Sequence, residues 1–163
     1  MGLSRDELRD LAASLMFEAV DPRSPSAVVA VGRYFAEIGQ RFGYVADGQS
    51  EKDAVLLVPP AGVFVLALSD GAPAACGGVQ TIGDGVGEIK RMWVSDDWRG
   101  AGLGSRLLRH LEDQSRGLGH RVVRLDTNAS LTEAIAMYER FGYERIERYN
   151  DNPFATNFYE KRL

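Results

Sequence analysis

The stretch WVSDDWRGAGLGSRLLRHLEDQSRGLG, residues 93–119, constrains this chain more than any other. It sets Gly100, Gly102 and Gly104 between an apolar run and a segment whose Leu103, Leu107, Leu108 and Leu111 share one helical face, ending near Gly117. Glycine serves where backbone must bend sharply or approach something closely. A strand, a glycine-rich turn and a helix in that order leave the first helical N–H groups pointing outward, where the macrodipole adds about half a positive charge. The next run, VVRLDT at 122–127, reads as a buried strand. A strand–helix–strand unit of this kind favours parallel pairing.

Around this unit the chain reads as alternating helices and strands. Ser4-x-x-Glu7 is a capping box opening a short helix through about Ala12, and MFEAV at 16–20 is a first strand. DPRSPS at 21–26 turns into a second helix with an apolar stripe of Val28, Val31, Phe35, Ile38 and Phe42, ended by Gly43. Residues 44–53 read as a loop. Runs at 63–68, 74–80 and 88–94, joined by SDGAP and GDGVG, form an antiparallel meander. Ser130-x-x-Glu133 predicts a second capping box, opening a helix with Ala134, Met137, Tyr138 and Phe141 on one face and Gly142 at its end. Segments 143–146 and 157–163 close the chain as a hairpin across a long loop. The fold class is therefore α/β with a mixed, mostly antiparallel central sheet flanked by helices and one parallel crossover.

Composition narrows the function. At 163 residues, with 45% hydrophobic and 26% charged residues, a single domain spanning 1–163 is expected. The longest apolar run, GVFVLAL at 62–68, is strand-sized, so no membrane partner is expected. A net charge of −4 argues against nucleic acid as a partner. One cysteine, Cys76, and two histidines leave no metal site of Cys/His spacing and no internal disulfide, which fits a cytoplasmic location.

Three readings compete for the glycine loop. A P-loop needs Gly-Lys-Ser/Thr, whereas Gly104-Ser105-Arg106 lacks that lysine. A dinucleotide fold needs G-x-G-x-x-G after the first strand, whereas these glycines run G-x-G-x-G after at least two earlier strands. The third reading is Arg99-x-x-Gly102-x-Gly104, a pyrophosphate cradle with an arginine at its mouth. That pattern, with VVRLDT, Asn128, AIAMYERFGY at 134–143 and the terminal FYEKRL, resembles the GNAT N-acetyltransferase superfamily in order and spacing. The resemblance covers about 74–163, the acetyl-CoA-binding core, and leaves 1–60 for substrate-side helices. One departure is SDDWRG, where Asp96 and Asp97 stand in place of the usual proline; both are expected to point away from the cofactor.

The resemblance implies an acetyl-CoA-dependent N-acetyltransferase in which a bound amine attacks the thioester directly. It assigns the backbone of Met92, Trp93 and Val94 to the pantetheine arm, one N–H there also stabilising the oxyanion. Gly100, Ala101, Gly102, Leu103, Gly104 and Ser105 would wrap the pyrophosphate, with Arg99 as countercharge. Arg106 and Arg109 either assist or form a solvated helix face. Asn128 either holds the pantetheine amide or serves the turn it sits in. Tyr138 is the candidate acid beside the departing sulfur, against an ordinary core role, and Glu88 the candidate base, against a strand-end ion pair with Lys90 or Arg91. His110 and His120 are expected at the surface, and Cys76 in the core. The acceptor is an amine, first of a small molecule, with Asp47, Glu51, Asp53 and Asp151 available to a cation. A peptide amine or a catalytically silent acyl-CoA sensor are the alternatives, and the resemblance admits a sheet-edge homodimer.

Overall fold

The structure is a computed structural model that describes residues 2–43 and 53–163. Its elements are α1 (Arg5–Ser14), β1 (Glu18–Ala19), α2 (Pro25–Phe42), β2 (Gly62–Ser69), β3 (Ala72–Gly83), β4 (Val86–Val94), α3 (Leu103–Gly117), β5 (Val122–Thr127), α4 (Thr132–Arg140), β6 (Glu144–Ile146) and β7 (Asn157–Arg162). Two 3₁₀ turns, Val55–Leu57 and Asp96–Trp98, precede β2 and α3. Seven strands form one sheet among the described residues, in the order β1-β2-β3-β4-β5-β7-β6. Among the described residues only β4 and β5 run parallel, and α3 is the crossover between them.

Local chemistry accounts for most of these elements. At α1 the capping box is complete: Ser4 Oγ accepts from the Glu7 N–H at 3.2 Å, and Glu7 returns Oε2 to the Ser4 N–H at 2.7 Å. The β2–β3 hairpin turns on Asp70 and Gly71, with φ of 49° and 78°, the two positive values that match a tight turn to strand twist. Leu103, Leu107, Leu108 and Leu111 on α3 are completely buried, each worth about 1.5–3 kcal/mol of apolar transfer.

Alternate residues of β2 feed two core clusters. Val63, Val65 and Ala67 join α1 and α3, with Tyr138 of α4, on one side; Phe64 and Leu66 join α2, Leu57, Cys76 and Trp93 on the other. The α2 stripe differs from the periodic reading. Ala27, Ala30 and Val31 are the buried positions, Tyr34 and Phe35 are partly buried, and Val28 is 54% exposed. The helix rests on small residues, so the bulkier Val28 is rotated outward. MFEAV contributes only the two residues of β1, paired with Leu66 and Val65. The loop reading for 44–52, with Asp47 and Glu51, lies outside the described residues.

Two further expectations are corrected. The second capping box does not form: α4 starts at Thr132 after Leu131, with no side-chain cap. Ser130 instead gives its N–H to Asn128 Oδ1 at 2.9 Å, closing a turn one step before the helix. His120 is buried, not superficial, because it fills the space beside Gly87 at the start of β4, where a Cβ would come within 2.3 Å of its Nδ1.

Candidate active site

The site begins with a flaw in β4. Cys76 pairs with Trp93 and Gly78 with Lys90, so Arg91 and Met92 together face the single residue Gly77. This is a β-bulge, and Arg91 takes a φ of 54° to make it. A bulge bends its strand. β4 is in register with β5 only over Val86–Glu88, opposite Val122–Arg124, and beyond that the two strands part.

A cleft of about 400 Å³ opens along the parted segment, lined by Met92, Trp93 and Val94 of β4, Arg99, the start of α4 and the C-terminal half of α2. Near it the loop enters α3. Gly100 and Gly102 have φ of 78° and 84°, a region other residues rarely adopt, and a Cβ built on either meets nothing within 4 Å. Gly102 is the N-cap of α3 and supplies no side-chain cap. The N–H groups of Leu103, Gly104 and Ser105 therefore have no acceptor in the helix. Ala101 and Leu103 bury their side chains, so they offer an incoming group only backbone. A left-handed, open-sided loop running into an uncapped helix fits a pyrophosphate.

Arg99 is already engaged. Its Nε donates to the Val94 carbonyl at 3.1 Å, its Nη2 donates to both oxygens of Glu37 at 2.6 and 2.7 Å, and its Nη1 pairs with Asp96. Asp96 thus turns toward Arg99 rather than away. Glu37 also accepts from Trp93 Nε1 at 3.0 Å and pairs with Arg41 at 3.4 Å. The other two arginines are placed elsewhere: Arg106 donates to the Ala12 and Leu15 carbonyls and so caps α1, and Arg109 lies over the Phe141 ring.

Glu88 is buried on β4 where the strands begin to part. Its Oε1 accepts from Gln80 Nε2 at 2.8 Å and lies 3.4 Å from Lys90 Nζ; its Oε2 accepts from Asn150 Nδ2 at 3.2 Å. The same Asn150 nitrogen donates to Asp126 Oδ2 at 2.5 Å, so one amide bridges two carboxylates. Beside them the Tyr149 hydroxyl is buried without a partner of ordinary hydrogen-bond geometry. Burial, then Glu88 and Asp126, hold its proton well above the usual phenol range.

Tyr138 is buried on α4 with its ring near those of Tyr143 and Tyr159. Burial, with Asp126 adding to it, pushes its phenol up to about 12. Asn128 spends both ends of its amide on the chain, Oδ1 on Ser130 and Nδ2 on the Phe154 carbonyl at 2.7 Å. Cys76 is buried, donates weakly to the Arg91 carbonyl at 3.5 Å, and is pushed up to about 12 by burial. Such a thiol is inert.

Of the residues expected in the site, Met92, Trp93, Val94 and Arg99 line the cleft, whereas the loop 100–105, Glu88, Asn128 and Tyr138 are not among its lining residues. Glu37, Asp126, Tyr149 and Asn150 carry no local motif. The bonds that tie Glu37 to Trp93 and Arg99, and Asn150 to Glu88 and Asp126, span 24 to 62 residues of chain, so no local pattern marks them.

Residues 32–143 match the Acetyltransferase (GNAT) family. The IAA acetyltransferase of Azospirillum brasilense is 32% identical over 140 residues, covering 82% of this chain and 91% of that protein. A GNAT-family acetyltransferase of Staphylococcus aureus superposes with a TM-score of 0.75 at 16% identity, over 91% of this chain and 99% of that one. A GNAT-family acetyltransferase of Elizabethkingia anophelis, solved with acetyl-CoA bound, gives 0.66 at 15% identity, over 91% and 98%.

Proposed function

The chain belongs to the GNAT acetyltransferase family, and from that premise we propose that it is an acetyl-CoA-dependent N-acetyltransferase acting on the primary amine of a small molecule. The observation that carries this reading is the parting of β4 from β5 beside the uncapped start of α3. Bound acetyl-CoA supplies the acetyl group as an activated thioester.

The chain's own residues divide the remaining work. The backbone of Met92, Trp93 and Val94 offers hydrogen bonds to the pantetheine arm, and the backbone of Gly100, Ala101, Gly102, Leu103, Gly104 and Ser105 receives the pyrophosphate, with Arg99 as countercharge. Asn128 joins these contacts by exchanging the Phe154 carbonyl for a cofactor amide.

Glu88 takes the proton of the acceptor. An alkylammonium with a pKa of about 10.4 is almost wholly charged at neutral pH, so an acceptor for its proton is required. Gln80 and Asn150 each donate one hydrogen bond to the Glu88 carboxylate and Lys90 pairs with it, out of about four acceptor positions such a group has. Tyr138, with its phenol pushed up to about 12, keeps its proton throughout the working range. It steadies the departing thiolate by donating a hydrogen bond from Oη. Attack is direct, because the buried Cys76 cannot carry an acyl group.

A thiol-release assay with acetyl-CoA against small amines, polyamines, amino acids and N-terminal peptides tests the reading. Release with small amines is expected, and Glu88→Gln should lower kcat by about 100-fold. Release with peptides alone would reassign the acceptor to protein. Acetyl-CoA binding without release for any amine would make the chain a sensor, and no binding would remove the central claim.

A further inference from the structure

Two carboxylates share the Arg99 guanidinium. Glu37 takes its Nη2 edge and Asp96 its Nη1 edge, while Nε is spent on Val94. The two acids are held very differently. The Glu37 side chain is 27% exposed and is also fixed by Trp93 and Arg41, whereas the Asp96 side chain is 83% exposed at the start of a single 3₁₀ turn. A cation flanked by two anions has no charge left for a third unless one leaves. The more exposed partner is the one that leaves, because water can compensate it at once.

We propose that Asp96 is a built-in competitor for the cofactor's pyrophosphate: its carboxylate holds the Nη1 edge of Arg99 that a phosphate oxygen would take, and cofactor binding exchanges the one for the other while Glu37 keeps the Nη2 edge. The inference rests on the reading of this loop as the pyrophosphate site. Carboxylate and phosphate oxygens satisfy a guanidinium in the same way, so the exchange needs no rearrangement of the arginine. Acetyl-CoA and free coenzyme A carry the same pyrophosphate. The competitor therefore loosens product as much as substrate and hastens its release.

Calorimetry of acetyl-CoA and of coenzyme A, on the wild type and five variants, tests this. Asp96→Asn should tighten both ligands about two- to fivefold, the scale of an exposed ion pair. Asp97→Asn makes the same change in net charge one residue along, and should tighten them less than twofold because long-range repulsion alone is screened. In an Arg99→Ala background, Asp96→Asn should gain no more than Asp97→Asn does. An Asp96→Asn no tighter than Asp97→Asn, or a gain that persists without Arg99, overturns the proposal. If Arg99→Ala leaves acetyl-CoA affinity unchanged, the pyrophosphate reading of Arg99 fails first and the competitor falls with it.

Discussion

Glu112 on α3 and Glu37 on α2 are each the centre of a small cluster that joins a cation to an aromatic donor. Glu112 accepts from Lys161 Nζ at 2.8 and 3.1 Å and from the Tyr143 hydroxyl at 3.1 Å. Glu37 accepts from Arg99 and from the Trp93 indole at comparable distances. Their surroundings differ: the Glu112 side chain is 4% exposed and its lysine 21%, against 27% and 37% for Glu37 and Arg99. The first cluster is a closed bolt between α3, β7 and the chain after α4. The second stands in the wall of the cleft, partly open to solvent. The same pairing chemistry is closed off in one cluster and open to water in the other.

The comparison breaks most readily at Glu112. Glu112→Ala leaves Lys161 and the Tyr143 hydroxyl without their acceptor, and should cost about 3–5 kcal/mol in urea unfolding. The fraction that remains folded should bind acetyl-CoA normally. Glu37→Ala should cost only about 1 kcal/mol at low salt, and that cost should fade near 1 M salt, where the screening length is about 3 Å. The Glu112 deficit should persist in the same salt series, since buried pairs are screened much less. Equal salt dependence would show that the two clusters are not different in kind.

A third buried polar group sharpens the contrast through pH. His120 lies between Thr81 Oγ1 and Ser115 Oγ, each 2.7 Å from a ring nitrogen, and burial lowers its pKa below the usual value of about 6.5. Its folded form is neutral, so its contribution is fully present above about 6.5 and is lost as pH falls through the lowered value. Stability should therefore decline on the acid side of 6.5, and His120→Gln should flatten that slope in melts taken from pH 5 to 8. The smallest effects belong to the two S-x-x-E motifs. Ser4→Ala should cost up to about 1 kcal/mol, read as fraying of α1, while Ser130→Ala should stay within about 0.5 kcal/mol.

That last pair shows how far the sequence could be read. Ser4 and Ser130 stand in the same local pattern, yet only Ser4 caps a helix. At Ser130 the preceding Asn128 closes its own turn, tied at the other end to Phe154, and the helix begins later. Arg106 makes the same point. Its position on α3 admitted a phosphate role, but the carbonyls at the end of α1 lie within its reach and take it. Val28 fitted the period of α2 and still points outward, because the small faces of Ala27 and Ala30 decide the approach of the helix.

By itself the sequence determined what local chemistry and periodicity can carry: the strand–glycine loop–helix unit, the parallel crossover it requires, the mixed sheet, and a core position for Cys76. These follow because backbone freedom at glycine and the spacing of apolar residues act within a few residues of themselves. Only the tertiary structure decided that a bulge at Arg91 and Met92 parts β4 from β5, that Asn150 joins Glu88 to Asp126, and that Glu37 and Asp96 divide Arg99 between them. Bulges depend on the partner strand's register. Buried carboxylates depend on donors that chain folding brings from up to 62 residues away.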